Sequence, residues 1–223
     1  AERIRVEIKK LIMSGGPDRI LLAMKTGLSK VFLPEWDEVA RDPERADRVI
    51  RVIKTVNRLC DYAGGRENKI LCFAALLVET HDAGEIMRRM KFDNYSISFV
   101  DRLTRYCNVD FDMTKTEFRR FLSKAGVDIM ELLYVLREAY HGSFGGEYAE
   151  YIRAVDARSK EMFEEIINDG DALTIKQLDV TGNDLNEAGI PKGKIMGNLL
   201  NALLDEILCK PSYNHKEWLI KKA

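Results

Sequence analysis

Apolar residues recur at steps of three and four along nearly the whole chain, and no run alternates with a period of two for long enough to predict a strand. The pattern therefore predicts an all-α fold. Ile4, Ile8, Leu11 and Ile12 form one face of a first helix. It closes at Ser14-Gly15-Gly16-Pro17, where two glycines permit positive φ and the proline suits the first turn of a second helix, which runs to Lys25. Asp42-Pro43-Glu44 supplies a capping acid, a proline at the first helical position and a second acid on the positive end of the helix dipole. The helix it starts turns Ala46, Val49, Ile50, Ile53, Val56 and Cys60 inward and ends at Gly64-Gly65. Asn68 is expected to cap the next helix, whose run from Ile70 to Val78 is apolar on every side and so belongs at the centre of the core.

Further along, Asp93-Asn94 precedes a helix carrying Ile97, Val100, Leu103 and Thr104. Thr114-Lys115-Thr116-Glu117 is a capping box for another, with Phe118, Phe121 and Leu122 inward and Gly126 as its stop. Helices from Ile129 to Tyr140 and from Tyr148 to Ile167 are separated by His141-Gly142-Ser143-Phe144-Gly145-Gly146, a glycine-rich turn that puts His141 in a loop. After Gly170 the texture changes to short helical pieces broken at Thr181-Gly182-Asn183 and Gly189-Ile190-Pro191, then one long amphipathic helix to Leu208. The expected division is 1–63 and 64–170 as a helical body with its leading segment, and 171–223 as a smaller helical tail.

Charge refines this picture. The 35 Lys and Arg balance 36 Asp and Glu, which argues against both disorder and a polybasic nucleic-acid binder if only the average is read. The average conceals segregation: residues 1–60 hold 13 basic and 9 acidic side chains, while Gly126 to Gly170 holds 4 and 10. No apolar run approaches the roughly 18–20 residues needed to span a bilayer, so a cytoplasmic protein without a membrane partner is expected. Cys60, Cys72, Cys107 and Cys209 lie far apart among aliphatic neighbours, the pattern of reduced core thiols.

Three features could carry chemistry. His81-Asp82 is similar to the metal-binding doublet of HD-type phosphohydrolases, but no histidine precedes it, and a doublet alone supplies too few ligands for a divalent ion. Asp82 as a helix cap is the plainer reading, and no metal site is expected. Gly189-Ile190-Pro191-Lys192-Gly193-Lys194-Ile195-Met196-Gly197 opens the long tail helix. Its exposed N–H groups, the approach that Gly193 and Gly197 permit, and the charges of Lys192 and Lys194 together suit a backbone phosphate, while Ile195, Leu199, Leu200, Leu203 and Leu204 anchor the helix. Arg41, Arg45, Arg48, Arg51, Lys54 and Arg58 form a basic stripe opposite an apolar one, and Arg48 and Arg51 are its candidate phosphate contacts. No nucleophile elbow and no Cys–His pairing is visible, and Asp110-Phe111-Asp112 reads as loop and capping acids; no catalytic residue is assigned.

The tail is specific enough to point to a family. Leu173-Thr174-Ile175-Lys176-Gln177-Leu178, Thr181-Gly182-Asn183-Asp184-Leu185, Gly189-Ile190-Pro191-Lys192-Gly193-Lys194-Ile195-Met196-Gly197 and Asn214-His215-Lys216-Glu217-Trp218-Leu219 together resemble the end of bacterial tRNA nucleotidyltransferases, the CCA-adding enzymes of the poly(A) polymerase-like class. Glu2-Arg3-Ile4-Arg5-Val6-Glu7 resembles that family's neck motif, Phe32-Leu33-Pro34-Glu35 one of its turns, and Met90-Lys91-Phe92-Asp93-Asn94 a stretch of its body. The resemblance implies a helical neck, body and tail that hold a tRNA while a separate N-terminal head, using Mg²⁺ with CTP or ATP, adds nucleotides. On that reading the chain is a portion without the head, inactive in transfer by itself and needing no cofactor of its own. Glu2, Arg3 and Glu7 would be neck supports; Lys192, Gly193, Lys194, Gly197, Arg48 and Arg51 would bind RNA. The body would be related to the HD fold without its metal. Aligned on the helix from Leu71 to Val78, the HD doublet would fall near Val78-Glu79, which makes His81-Asp82 a chance match. The alternatives are a metal-dependent HD-type phosphohydrolase and a helical scaffold that contacts another protein through its acidic middle.

Overall fold

The computed structural model describes residues 2–14, 16–59 and 65–223, with Met24 described by its backbone only. Among them it holds fourteen α-helices joined by short turns and no strand. None of these helices is long and apolar enough to cross a membrane. The chain divides into two units, Ala1–Val109 with Asp128–Ala154, and Asp110–Val127 with Val155–Ala223. The expected end of the second helix at Lys25 and the capping box of Thr114 with Glu117 are reproduced.

The first unit is built around α6 (Arg66–Leu77), whose residues from Ile70 to Leu77 are all buried. Against it pack α1 (Glu2–Ile12), α5 (Pro43–Leu59), α8 (Asn94–Tyr106) and α10 (Met130–Gly142). Four shorter helices complete the unit: α2 (Ile20–Lys25), α3 (Ser29–Phe32), α4 (Pro34–Ala40) and α7 (Ala83–Arg89). Each helix end leaves carbonyls without an intrahelical partner, and buried side chains from neighbouring helices supply the donors. The Trp36 indole, fully buried in α4, donates to the Leu76 carbonyl at 2.7 Å in the last turn of α6. Arg137 of α10, also fully buried, donates to the Cys107 and Val109 carbonyls at the end of α8, at 2.7 and 2.6 Å. Asn57 of α5 donates to the Ile12 carbonyl at 2.7 Å and so ties the end of α1 to the core.

In the second unit α9 (Lys115–Ala125) packs on α13 (Lys194–Cys209), and Phe111, Phe118 and Phe121 form an aromatic cluster. Arg119 donates to Asp171 at 2.6 Å with both side chains nearly enclosed. The remaining helices are α11 (Gly146–Asn168), which contributes to both units, α12 (Gly182–Glu187) and α14 (Lys216–Lys222).

Several local expectations change. Asn68 does not cap α6: Gly65 holds that position, and Asn68 lies buried a turn inside beside the Cys72 thiol. Gly16 adopts φ −133°, so the first turn needs no left-handed residue there. His141 is in the last turn of α10 and not in a loop, because Gly142 still takes helical geometry. Cys72 and Cys107 are buried thiols, whereas Cys209 is exposed at the end of α13, where Arg120 donates to its Sγ at 3.1 Å. Ile195 is 65% exposed, so α13 is anchored through Met196, Leu203, Leu204, Ile207 and Leu208 instead. Gly15, Cys60 and Gly64 lie outside the described residues.

Candidate nucleic-acid interface

Asp42 accepts from the Glu44 amide at 3.0 Å, and with Pro43 it starts α5 where the sequence places it. The basic stripe of that helix then divides by depth. Arg45 and Arg48 turn onto Glu79, whose carboxylate accepts from Arg45 Nε at 3.1 Å, Arg48 Nη1 at 2.8 Å and the Tyr140 hydroxyl at 3.0 Å. Only 10% of the Glu79 side chain and 13% of Arg48 meet solvent. Burial alone would lower the Arg48 pKa, yet the hydrogen bond and charge of Glu79 hold it above its ordinary value. Burial, and then the Glu79 charge, push the Tyr140 phenol up in turn. Arg48 also lies 4.2 Å from the centroid of the Phe144 ring. This arginine holds the fold together and presents little of itself to a partner.

The lower half of the stripe is different. Arg51, Lys54 and Arg58 line a groove of about 360 Å³ whose other wall is the end of α10, the turn Ser143, Phe144 and Gly145, and the Glu138–Arg153 ion pair. Lys54 pairs with Asp18 at 2.5 Å, while Arg51 and Arg58 are exposed and have no carboxylate partner among the described residues. Phe144 is 45% exposed and packs edge-on against Tyr140 and Tyr148. His141 fixes the turn from below, with Nε2 3.0 Å from the Cys107 carbonyl and Nδ1 2.9 Å from the Tyr148 hydroxyl. A carbonyl only accepts, so Nε2 carries a proton and donates it to Cys107. Unpaired guanidiniums beside an exposed aromatic edge are what a single-stranded or looped nucleic acid needs, charge for phosphate and a face for a base. Sequence reasoning missed Phe144; its signal was an aromatic residue set between glycines.

The tail site has the exposed helix start that its sequence implies. Gly193 is the N-cap of α13 at φ +120°, where no side-chain cap bond is made and an L side chain would be strained. Lys192, Gly193, Lys194 and Gly197 are all exposed, and a Cβ on Gly197 would meet nothing within 4 Å. Among the described residues no neighbouring helix uses the gap at Gly197, so the space it leaves faces outward. The other tail motifs are structural. Thr181 and Asp184 form a capping box, Lys216 pairs with Asp184 and holds its carboxyl well below the usual range, and a Cβ on Gly182 would come within 3.0 Å of Met196 Sδ. Asn214 bridges two segments, accepting from the Asp179 amide at 2.9 Å and donating to the Gln177 carbonyl at 3.0 Å.

The neck-motif residues Glu2, Arg3 and Glu7 lie on the exposed face of α1, with Glu7 paired to Lys10 at 2.8 Å. His81 is exposed; Asp82 occupies the N-cap of α7 in a left-handed conformation, φ +54°, without a side-chain cap bond. Among the described residues no three His, Cys, Asp or Glu side chains converge as metal ligands would.

Residues 66–223 match the family model described as tRNA nucleotidyltransferase domain 2. The chain belongs to this family. Residues 1–39 match a second model, described as "probable RNA and SrmB-binding site of polymerase A". No curated protein and no solved structure matches the chain. As a tRNA nucleotidyltransferase second domain joined to an RNA-binding segment, it has RNA as its partner class, in agreement with the tail resemblance read from Leu173 to Leu219. The tail site and the Phe144 turn fall inside the nucleotidyltransferase match, and α5, with Arg51 and Arg58, lies between the two matched segments.

Proposed function

We propose that this chain holds tRNA for nucleotide addition at its 3′ end, the addition itself being performed by a catalytic head outside this sequence. What supports the reading most is the groove in which Arg51 and Arg58 stand unpaired beside the exposed edge of Phe144. The family description "domain 2" agrees with a second, catalytic domain elsewhere. CCA is the sequence added, and CTP, ATP and Mg²⁺ belong to the head and not to this chain. The groove and the helix start at Gly193 engage the sugar–phosphate backbone, which carries no base identity and therefore lets one surface serve every tRNA in the cytoplasm. Glu2, Arg3 and Glu7, exposed on α1, are the face offered to the head. A filter-binding titration with unfractionated tRNA tests this. Arg51→Glu with Arg58→Glu, and separately Lys192→Glu with Lys194→Glu, should each weaken retention at least ten-fold. Unchanged retention in both double variants, or equal retention of duplex DNA by the wild type, would overturn it.

A further inference from the structure

Away from that groove, the first unit holds a pocket of about 470 Å³ between α1, α6 and the start of α8. Its rim carries four cations, Arg5 and Lys9 one turn apart on α1 and Arg66 and Lys69 three residues apart on α6. Only one carboxylate faces them. Asp93 pairs with Arg66 at 2.5 Å while capping α8 through the Ser96 amide at 3.1 Å. Lys9 and Lys69 have no carboxylate within ion-pairing distance among the described residues, and burial followed by the Lys69 charge holds the Lys9 ammonium below its ordinary pKa. Lys9 and Lys69 both line this pocket, and like charges in one pocket repel until an anion enters beside them. The floor is apolar and aromatic. Phe92 is half-buried there, edge-on to Phe73 at 4.7 Å between centroids and 5.1 Å from the Arg5 guanidinium. Lys91, in the left-handed region at φ +58°, turns its carbonyl to accept from Arg5 and so fixes both that guanidinium and the Phe92 ring behind it.

We propose that this pocket is a binding site for one nucleoside phosphate, with the phosphate between Lys9 and Lys69 and the base against Phe92. The volume lies within the range of about 300–1,000 Å³ usual for small-molecule sites. An anion of this kind is supplied either by a free nucleotide or by one nucleotide of an RNA chain, and both present the same phosphate and ring. The proposal does not rest on tRNA holding by the groove, because a mononucleotide is read without tRNA.

Calorimetric titration of the full chain with AMP, CMP, adenosine and inorganic phosphate tests it, alongside a six-nucleotide single-stranded RNA. AMP or CMP should bind one to one, be displaced by phosphate, and bind more tightly than either adenosine or phosphate alone. Lys69→Met should weaken that binding at least ten-fold and raise the thermal midpoint, since it removes the repulsion at Lys9; Lys9→Met should do the same. Arg51→Glu with Arg58→Glu should leave it unchanged. Binding of the oligonucleotide alone, lost in Lys69→Met, identifies RNA as the source of the nucleotide. The proposal fails if neither mononucleotides nor the oligonucleotide bind, or if their affinities in both lysine variants equal those of the wild type.

Discussion

Arg48 and Arg51 stand three residues apart on one basic stripe, yet one is enclosed and paired and the other faces solvent. Glu79 accounts for the difference: it sits at the end of α6, within reach of the first turns of α5 and not of the later ones. Nothing in the local spacing of arginines reports a carboxylate 31 residues further along the chain. Glu79→Ala should therefore destabilise the protein by about 3 kcal/mol, because it strands the Arg48 guanidinium in a nearly closed site. Arg51→Ala should change stability by no more than about 0.5 kcal/mol, as exposed substitutions do, while lowering RNA affinity. Urea unfolding and filter binding on the two variants separate these roles. Asp93 gives a second residue-level test. Hydrogen bonds from the Ser96 hydroxyl, then from its amide and Arg66, lower its carboxyl pKa from 3.8 to about 2. A depressed carboxyl contributes stability that is complete above its unfolded pKa and lost as pH falls through the folded one. Thermal midpoints should thus drop between about pH 4 and pH 2, and the drop should be shallower in Asp93→Asn, whose amide still caps α8.

At the scale of elements, the readable parts were those whose cause is local. Asp42-Pro43 starts α5, Asp93 caps α8, and Thr114 with Glu117 forms the box that opens α9, all within four residues of the signal. The unbroken apolar run of α6 likewise announced the centre of its unit. What failed depends on partners that the local signal does not report. Asn68 looks like a cap, but it is drawn inward to Cys72, four residues on, and the cap falls three residues earlier at Gly65. His141 resembles a loop residue because glycines follow it, and the Cys107 carbonyl instead locks it into the last turn of α10. The site was half legible for the same reason: lysines and glycines at 192–197 are contiguous, whereas Phe144 meets Arg51 and Arg58 only in the fold. Gly197 offers an element-level test. An exposed glycine inside α13 costs the helix roughly 0.5–1 kcal/mol relative to alanine. Gly197→Ala should raise stability by about that amount in thermal or urea unfolding. It should also weaken RNA binding if the gap receives a phosphate, and equal affinity would remove Gly197 from the interface.

Across the whole molecule, a net charge of −1 sits on a chain with a basic beginning and an acidic middle. Part of that acidity is already paired at the surface. Asp128 accepts from Arg102 at two points, Glu138 pairs with Arg153, and Glu165 and Asp169 share Lys115. The cations left over, Arg51 and Arg58 among them, are the ones available to a polyanion. The segregation that averaging hides is thus a division between charges that hold helices together and charges that face outward. The central claim, that these outward charges bind RNA phosphates, is tested most directly by the salt dependence of tRNA affinity. Each phosphate contact releases counterions and contributes roughly one to the slope of log affinity against log salt concentration. Arg51→Ala with Arg58→Ala should lower the steepness of that slope by about 1.5–2 relative to the wild type, with affinity reduced at every salt concentration. Superimposable salt titrations for the wild type and the double variant would contradict it.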